Sequence, residues 1–84
     1  MPKINITLLY FAFIKDITGV KFDLLELPSD ISVKSLAEII LEKYPRLSNI
    51  INMIQISVNY KVVNWDTILK EGDEVALLPP ISGG

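Results

Sequence analysis

The sequence contains neither cysteine nor histidine. The chain therefore cannot build the usual structural zinc sites, a cysteine-ligated iron–sulfur cluster or a disulfide bond. It also lacks a thiol nucleophile and the histidine that a Ser-His-Asp triad requires. Acid–base catalysis by carboxylates stays open, but no pair of carboxylates indicates a site for it. We therefore expect a protein that is not an enzyme on its own and that is stabilised by packing alone.

Basic clusters and long apolar runs are also missing. Eight Lys and Arg residues against ten Asp and Glu residues give a net charge of −2, with no basic block that would favour nucleic acid as a partner. The apolar run 6–14 is too short to span a membrane, and it leads into Lys15 and Asp16 without a signal-peptide cleavage site. These features predict a cytoplasmic protein that binds no membrane.

The amino-acid composition indicates one small globular domain over residues 1–84. Half of the 84 residues are hydrophobic and 21% are charged, which is typical of a chain with a packed core. Residues 79–84 are expected to leave this domain as an extended C-terminal tail.

Periodicity predicts an order of strands and helices. Residues 3–10 alternate with Ile4, Ile6, Leu8 and Tyr10 on one face, and 11–18 give at most two helical turns that end at Gly19. In the strand 20–27 the apolar residues change phase after Leu24, which predicts a β-bulge. An apolar stripe from Val33 to Tyr44 predicts a helix capped by Ser32 and ended by Pro45. The remaining predicted elements are a hairpin of 54–58 and 61–64 about Asn59–Tyr60, a turn at 70–73 and a final strand over 74–78; residues 46–53 stay ambiguous.

This order predicts an α+β fold of the β-grasp (ubiquitin-like) type. One main helix is expected to pack on a mixed sheet of four to five strands. The first and last strands, both rich in apolar residues, are expected to lie side by side in the middle. The short connection 11–19 predicts that the first two strands are antiparallel.

The chain ends in "LLPPISGG" (77–84), a sequence suited to entering a partner. Pro79 and Pro80 cannot donate to a sheet, so pairing should stop at Leu78 or Pro79, and the pair stiffens the exit of the tail. Gly83 and Gly84 lack side chains, so a narrow channel can admit the backbone up to its terminal carboxylate. The alternative is a terminus without function.

The whole chain resembles the small subunit of molybdopterin synthase, a family of ubiquitin-like sulfur carriers. The resemblance is carried by "LLYFAFIKDITG" (8–19), "SVKSLAEIILEKYP" (32–45), "VNYKVV" (58–63) and above all "GDEVALLPPISGG" (72–84). Leu77 and Leu78 replace the aromatic residues that members usually carry before the prolines, which keeps this position apolar.

The resemblance implies a role in making a molybdenum or tungsten cofactor. An adenylating and sulfurating enzyme of the ubiquitin-activating type would use ATP to convert the Gly84 carboxylate into a thiocarboxylate. The large subunit of molybdopterin synthase would then accept the tail, and its sulfur would pass to a pterin precursor. Two small and two large subunits would form a heterotetramer. No stably bound cofactor and no metal site are expected in the small subunit itself.

Successive side chains of a strand point to opposite faces of the sheet, and this alternation predicts where a partner would bind. Phe11, Val62 and Leu78 should lie on the face of the sheet away from the helix and form an exposed apolar patch beside the tail. The alternative is that Phe11 turns inward or that another segment covers these residues.

Three other functions remain open: a thiamin-pathway sulfur carrier, a modifier joined to target lysines through Gly84, and a β-grasp binding module with an idle tail.

Overall fold

The structure is a computed structural model that describes residues 2–79. Its strands and helices follow the predicted order. The strands are β1 (Lys3–Tyr10), β2 (Phe22–Pro28), β3 (Gln55–Val58), β4 (Lys61–Val63) and β5 (Glu74–Leu78). The helices are α1 (Ala12–Thr18) and α2 (Val33–Lys43), and the ambiguous stretch forms two short 3-10 helices at Pro45–Asn49 and Ile51–Met53.

The five strands form one mixed sheet in the order β2-β1-β5-β3-β4. β1 pairs with β5 in parallel and with β2 in antiparallel orientation, so the first and last strands lie side by side as expected. The β-grasp fold predicted from the sequence is confirmed. Among the described residues, no helix is both long and apolar enough to cross a membrane.

The helix α2 covers one face of the sheet, which we call the inner face. Ser32 caps this helix by accepting a hydrogen bond from the backbone N–H of Ser35 over 3.1 Å. Leu36 and Ile40 of α2 belong to one buried cluster with Leu8 of β1 and Leu77 of β5. The apolar stripe of the helix therefore packs on the inner face, and this contact forms the core of the domain.

The predicted bulge in the second strand is wrong. β2 pairs with β1 in one unbroken register from Lys3 opposite Pro28 to Leu9 opposite Phe22. The change of phase in the sequence arises because both faces of this strand carry apolar residues. Leu25 and Leu27 lie on the inner face, whereas Phe22 and Leu24 are on the other face and are 50% and 73% exposed.

A polar cluster, which was not predicted from the sequence, connects the inner face of the sheet to the end of α2. The Asp23 carboxylate accepts hydrogen bonds from the hydroxyls of Tyr10 and Tyr44 over 2.6 and 2.8 Å. The ammonium group of Lys43 lies 3.2 Å from the same carboxylate. Burial acts to raise the pKa of Asp23, but the hydrogen bonds from Tyr10, Tyr44 and Lys43 outweigh it, so the pKa lies below its usual value. Burial together with this charged acceptor raises the pKa of Tyr10.

Candidate functional site

The face of the sheet opposite α2, which we call the outer face, presents the candidate site. Strand pairing aligns one row of side chains across four strands: Leu9 of β1 lies opposite Ala76 of β5, Ala76 opposite Ser57 of β3, and Ser57 opposite Val62 of β4. Because side chains alternate along a strand, all four lie on the same face. The row includes β5, the central strand of the sheet, after which the chain leaves the sheet.

The structure brings the three predicted docking residues together. Phe11, Val62 and Leu78 line one depression with a volume of about 270 Å³, and Leu9, Ser57, Tyr60, Glu74 and Ala76 complete its wall. Phe11 is 45% exposed and Val62 is 60% exposed, while Leu78 is half-buried. The inward orientation considered for Phe11 is therefore not observed. We call these three residues the docking patch; their role in binding a partner stays a prediction.

The backbone at Phe11 explains its exposure. The residue precedes α1 in an extended conformation, with φ −119° and ψ 154°, so the alternation of β1 continues for one more position. Gly19 ends α1 in the left-handed conformation, with φ 79°, and its N–H donates to the Lys15 carbonyl oxygen over 2.8 Å. The short helix thus returns the chain to β2 while Phe11 stays on the outer face.

The base of the tail adjoins the docking patch. Leu78, opposite Gln55, is the last paired residue of β5, in agreement with the predicted end of pairing. Pro79 follows outside any strand and is half-buried. Pro80, Gly83 and Gly84 lie outside the described residues, so their predicted roles stay predictions.

Five residues of the depression were not among the predicted site residues: Leu9, Ser57, Tyr60, Glu74 and Ala76. Tyr60 is 87% exposed and adopts a φ of 74°, while Asn59 before it has a φ of 51°. Two consecutive positive φ values define a type I′ turn, in which glycine is the preferred second residue. The N–H of Glu74 donates to the Asn59 side-chain oxygen over 2.9 Å, which fixes this turn against β5. The asparagine that indicated the hairpin was visible in the sequence, but its contact with β5 was not.

The chemistry of the depression is that of a binding surface. Apart from Ser57, Tyr60 and Glu74, the described side chains that line it are apolar. The neighbouring Glu74 carboxylate raises the pKa of Tyr60 above its ordinary value. Exposed apolar side chains that cluster around a depression mark a site for a protein partner.

Comparisons with known proteins agree with this description. The sequence matches the ThiS family over residues 8–84. It is 34% identical to the molybdopterin synthase sulfur carrier subunit of Homo sapiens, in an alignment that covers all of this chain and 99% of that protein.

Two solved structures extend the likeness to three dimensions. A putative molybdopterin converting factor subunit 1 from Pyrococcus furiosus superposes with a TM-score of 0.85 at 29% identity, covering 93% of this chain and 99% of that one. A complex of subunits 1 and 2 of the molybdopterin-converting factor from Helicobacter pylori contains a chain that matches with a TM-score of 0.66 at 27% identity. That match covers 96% of this chain and all of the other.

Proposed function

The chain belongs to the ThiS family, and we propose that it is the sulfur carrier of a molybdopterin synthase, with Gly84 as the carrier group. One observation carries the proposal: the uncovered apolar residues of the docking patch surround the point where β5 ends. From Leu78 the sequence reaches Gly84 in six residues, a span of at most about 20 Å when extended. A partner bound to the docking patch is thus within reach of the terminal carboxylate.

The reaction requires activation because a carboxylate is a poor electrophile. In the proposed first step, the Gly84 carboxylate attacks ATP and forms an acyl adenylate with release of pyrophosphate. Hydrosulfide from the sulfur donor then attacks the acyl carbon and displaces AMP, so that a C–S bond replaces the C–O bond to AMP, and loss of the sulfur-bound proton leaves a thiocarboxylate on Gly84. A molybdopterin synthase large subunit would use this sulfur to build the dithiolene of molybdopterin from a pterin precursor.

The residues of this chain would contribute position and access. Pro79 and Pro80 would hold the start of the tail extended, and Gly83 and Gly84 would let a partner enclose the backbone without a steric conflict. The docking patch would bind the large subunit. The choice of a large subunit as partner is supported by the complex of subunits 1 and 2 from Helicobacter pylori. We further propose a heterotetramer of two small and two large subunits.

The first test is the mass of the protein after activation. Incubation with the activating enzyme of the same organism, ATP and a sulfur donor should replace one terminal oxygen with sulfur, a change that intact mass spectrometry resolves. A chain that lacks Gly84 is the control and should stay unchanged. An unchanged mass of the full chain, with an activating enzyme that is active on another carrier, would contradict the proposal.

The alternative role as a protein modifier makes a different prediction for cells. A sulfur carrier should occur mainly as a free or synthase-bound chain in immunoblots. A ladder of lysine conjugates that disappears on deletion of Gly83 and Gly84 would favour the modifier instead.

A further inference from the structure

A second depression lies on the other side of Leu9 and Phe11. It has a volume of about 370 Å³, and Phe22 of β2 lines it together with Lys15, Lys21 and residues 9–12. Leu9 and Phe11 also line the first depression, so these two side chains form a ridge between the two. A partner that binds the docking patch and also covers this ridge therefore contacts the second depression directly.

The strand β2 carries apolar side chains where an edge strand usually avoids them. It pairs only with β1 and forms one edge of the sheet. Edge strands commonly carry charges or proline that discourage further contacts. Here Phe22, which lies opposite Leu9, is 50% exposed, and Leu24 is 73% exposed on the same outer face. On the outer face of β2 a charged side chain follows only at Glu26, which forms an exposed ion pair with Lys3.

The two depressions differ in charge. Glu74 is the acidic side chain that lines the first, whereas Lys15 and Lys21 line the second. Among residues 2–79, neither of these lysines forms a salt bridge. The chain as a whole carries a net charge of −2, so a corner with two unpaired lysines stands out from the general surface. The second depression therefore suits an apolar side chain accompanied by a carboxylate.

The size of a stable interface supports the same extension. Specific protein complexes bury about 800 Å² on each partner, which takes about 20 to 30 residues a side. The three residues of the docking patch are far fewer than that number. Adjacent strands lie about 4.8 Å apart, so a footprint from β4 to β2 spans four spacings, or about 19 Å. A partner confined to the docking patch covers β1, β5, β3 and β4, and its extension onto β2 adds the fifth strand and about 4.8 Å of width toward the size of a typical interface.

We propose that the large subunit that binds the docking patch continues across the Leu9–Phe11 ridge onto β2, where it places an apolar side chain against Phe22 and a carboxylate near Lys15 and Lys21. This inference rests on the proposed function, because it extends the footprint of the same partner. It assigns to Phe22, Lys15 and Lys21 a part in binding that the tail and the docking patch do not require.

The test measures affinity for the purified large subunit of molybdopterin synthase from the same organism, by titration calorimetry with the full chain. Phe22→Ala should weaken binding about fivefold, since half of this side chain is already buried in the free protein. The double variant Lys15→Glu, Lys21→Glu should weaken it about tenfold at low salt and much less at high salt. Met53→Ala and Lys34→Glu, matched changes at exposed positions away from the outer face, should leave affinity unchanged.

The outcomes separate this inference from the proposed function. If Phe11→Ala and Leu78→Ala weaken binding while the Phe22 and lysine variants bind normally, the footprint ends at the ridge and the inference is wrong, although the proposed docking stands. If none of these variants weakens binding, the docking patch itself is wrong. A dimer of the free chain that Phe22→Ala dissociates, with unchanged affinity for the large subunit, would assign the second depression to another copy of this chain. If the Phe22 and lysine variants weaken binding of the activating enzyme but not of the large subunit, the inference is likewise overturned.

Discussion

The two faces of the sheet are both apolar, but only one of them is covered within the described chain. On the inner face, Leu8, Val75 and Leu77 have no exposed area because α2 packs over them. On the outer face, Val62 is 60% exposed and Leu24 is 73% exposed. The same alternation of apolar side chains thus serves two purposes. The inner face stabilises the fold, and we expect the outer face to supply affinity for a partner.

The difference between the two faces is tested most directly by substituting a matched pair of leucines on neighbouring strands. Leu8→Ala on the inner face should lower the free energy of unfolding by about 2–5 kcal/mol, because it leaves a cavity in a fully buried site. Leu24→Ala on the outer face should change it by about 0.5 kcal/mol or less. Urea denaturation followed by circular dichroism measures both. Equal losses would show that the outer face also belongs to the core.

A substitution in the Asp23 cluster on the inner face should cause a smaller loss of stability, and this loss should depend on pH. Asp23→Asn should lower the free energy of unfolding at neutral pH by about 1–3 kcal/mol, since the hydroxyls of Tyr10 and Tyr44 lose a charged acceptor. The folded pKa of Asp23 lies below its unfolded value of 3.8, so its contribution is present above that value and is lost as pH falls through the folded pKa.

The control for this prediction is the pH profile itself. The difference in stability between the wild type and Asp23→Asn should shrink as the pH is lowered below about 4. A difference that stays constant down to the lowest pH at which both proteins fold would mean that the charge of Asp23 contributes nothing. Lys43→Gln should cost less than Asp23→Asn, because the ion pair is half exposed on the lysine side.

The smallest expected effect concerns Tyr60, where stability and binding should move in opposite directions. A tyrosine with a φ of 74° occupies a turn position that favours glycine. Tyr60→Gly should therefore raise the free energy of unfolding by about 0.5–1 kcal/mol, as relief of backbone strain exceeds the added freedom of the unfolded chain. The same change removes an aromatic side chain from the rim of the docking patch and should weaken binding of the large subunit. A variant that is less stable, or that binds more tightly, would contradict this prediction.

Most of the fold was predictable because its patterns are local. The alternation in β1, the stripe in α2 and the Asn59–Tyr60 turn each follow from residues a few positions apart. The bulge expected in β2 was wrong because the strand is apolar on both faces, and only its pairing with β1 shows which residues face inward. Asp23 was overlooked for the same reason, since its partners Tyr10 and Tyr44 are distant in sequence.

The candidate site was predictable in its members but not in its extent. Strand parity placed Phe11, Val62 and Leu78 on one face, and the pairing of Ser57 with both Ala76 and Val62 explains why they meet. Tyr60 and Glu74 were missed because the depression that they line brings a hairpin together with a strand that begins 14 residues after Tyr60. The position of Phe22 beside Leu9 depends on the same long-range pairing.

The most direct test of the account compares the tail with the surface at its base. In titrations of the large subunit, Leu78→Ala should weaken binding by about tenfold, because it removes apolar area that the partner buries. Deletion of Gly84 should abolish sulfur transfer and change the affinity by only about threefold or less, since glycine contributes little buried area. The account is contradicted if deletion of Gly84 destroys affinity while Leu78→Ala, folded as judged by circular dichroism, binds as tightly as the wild type.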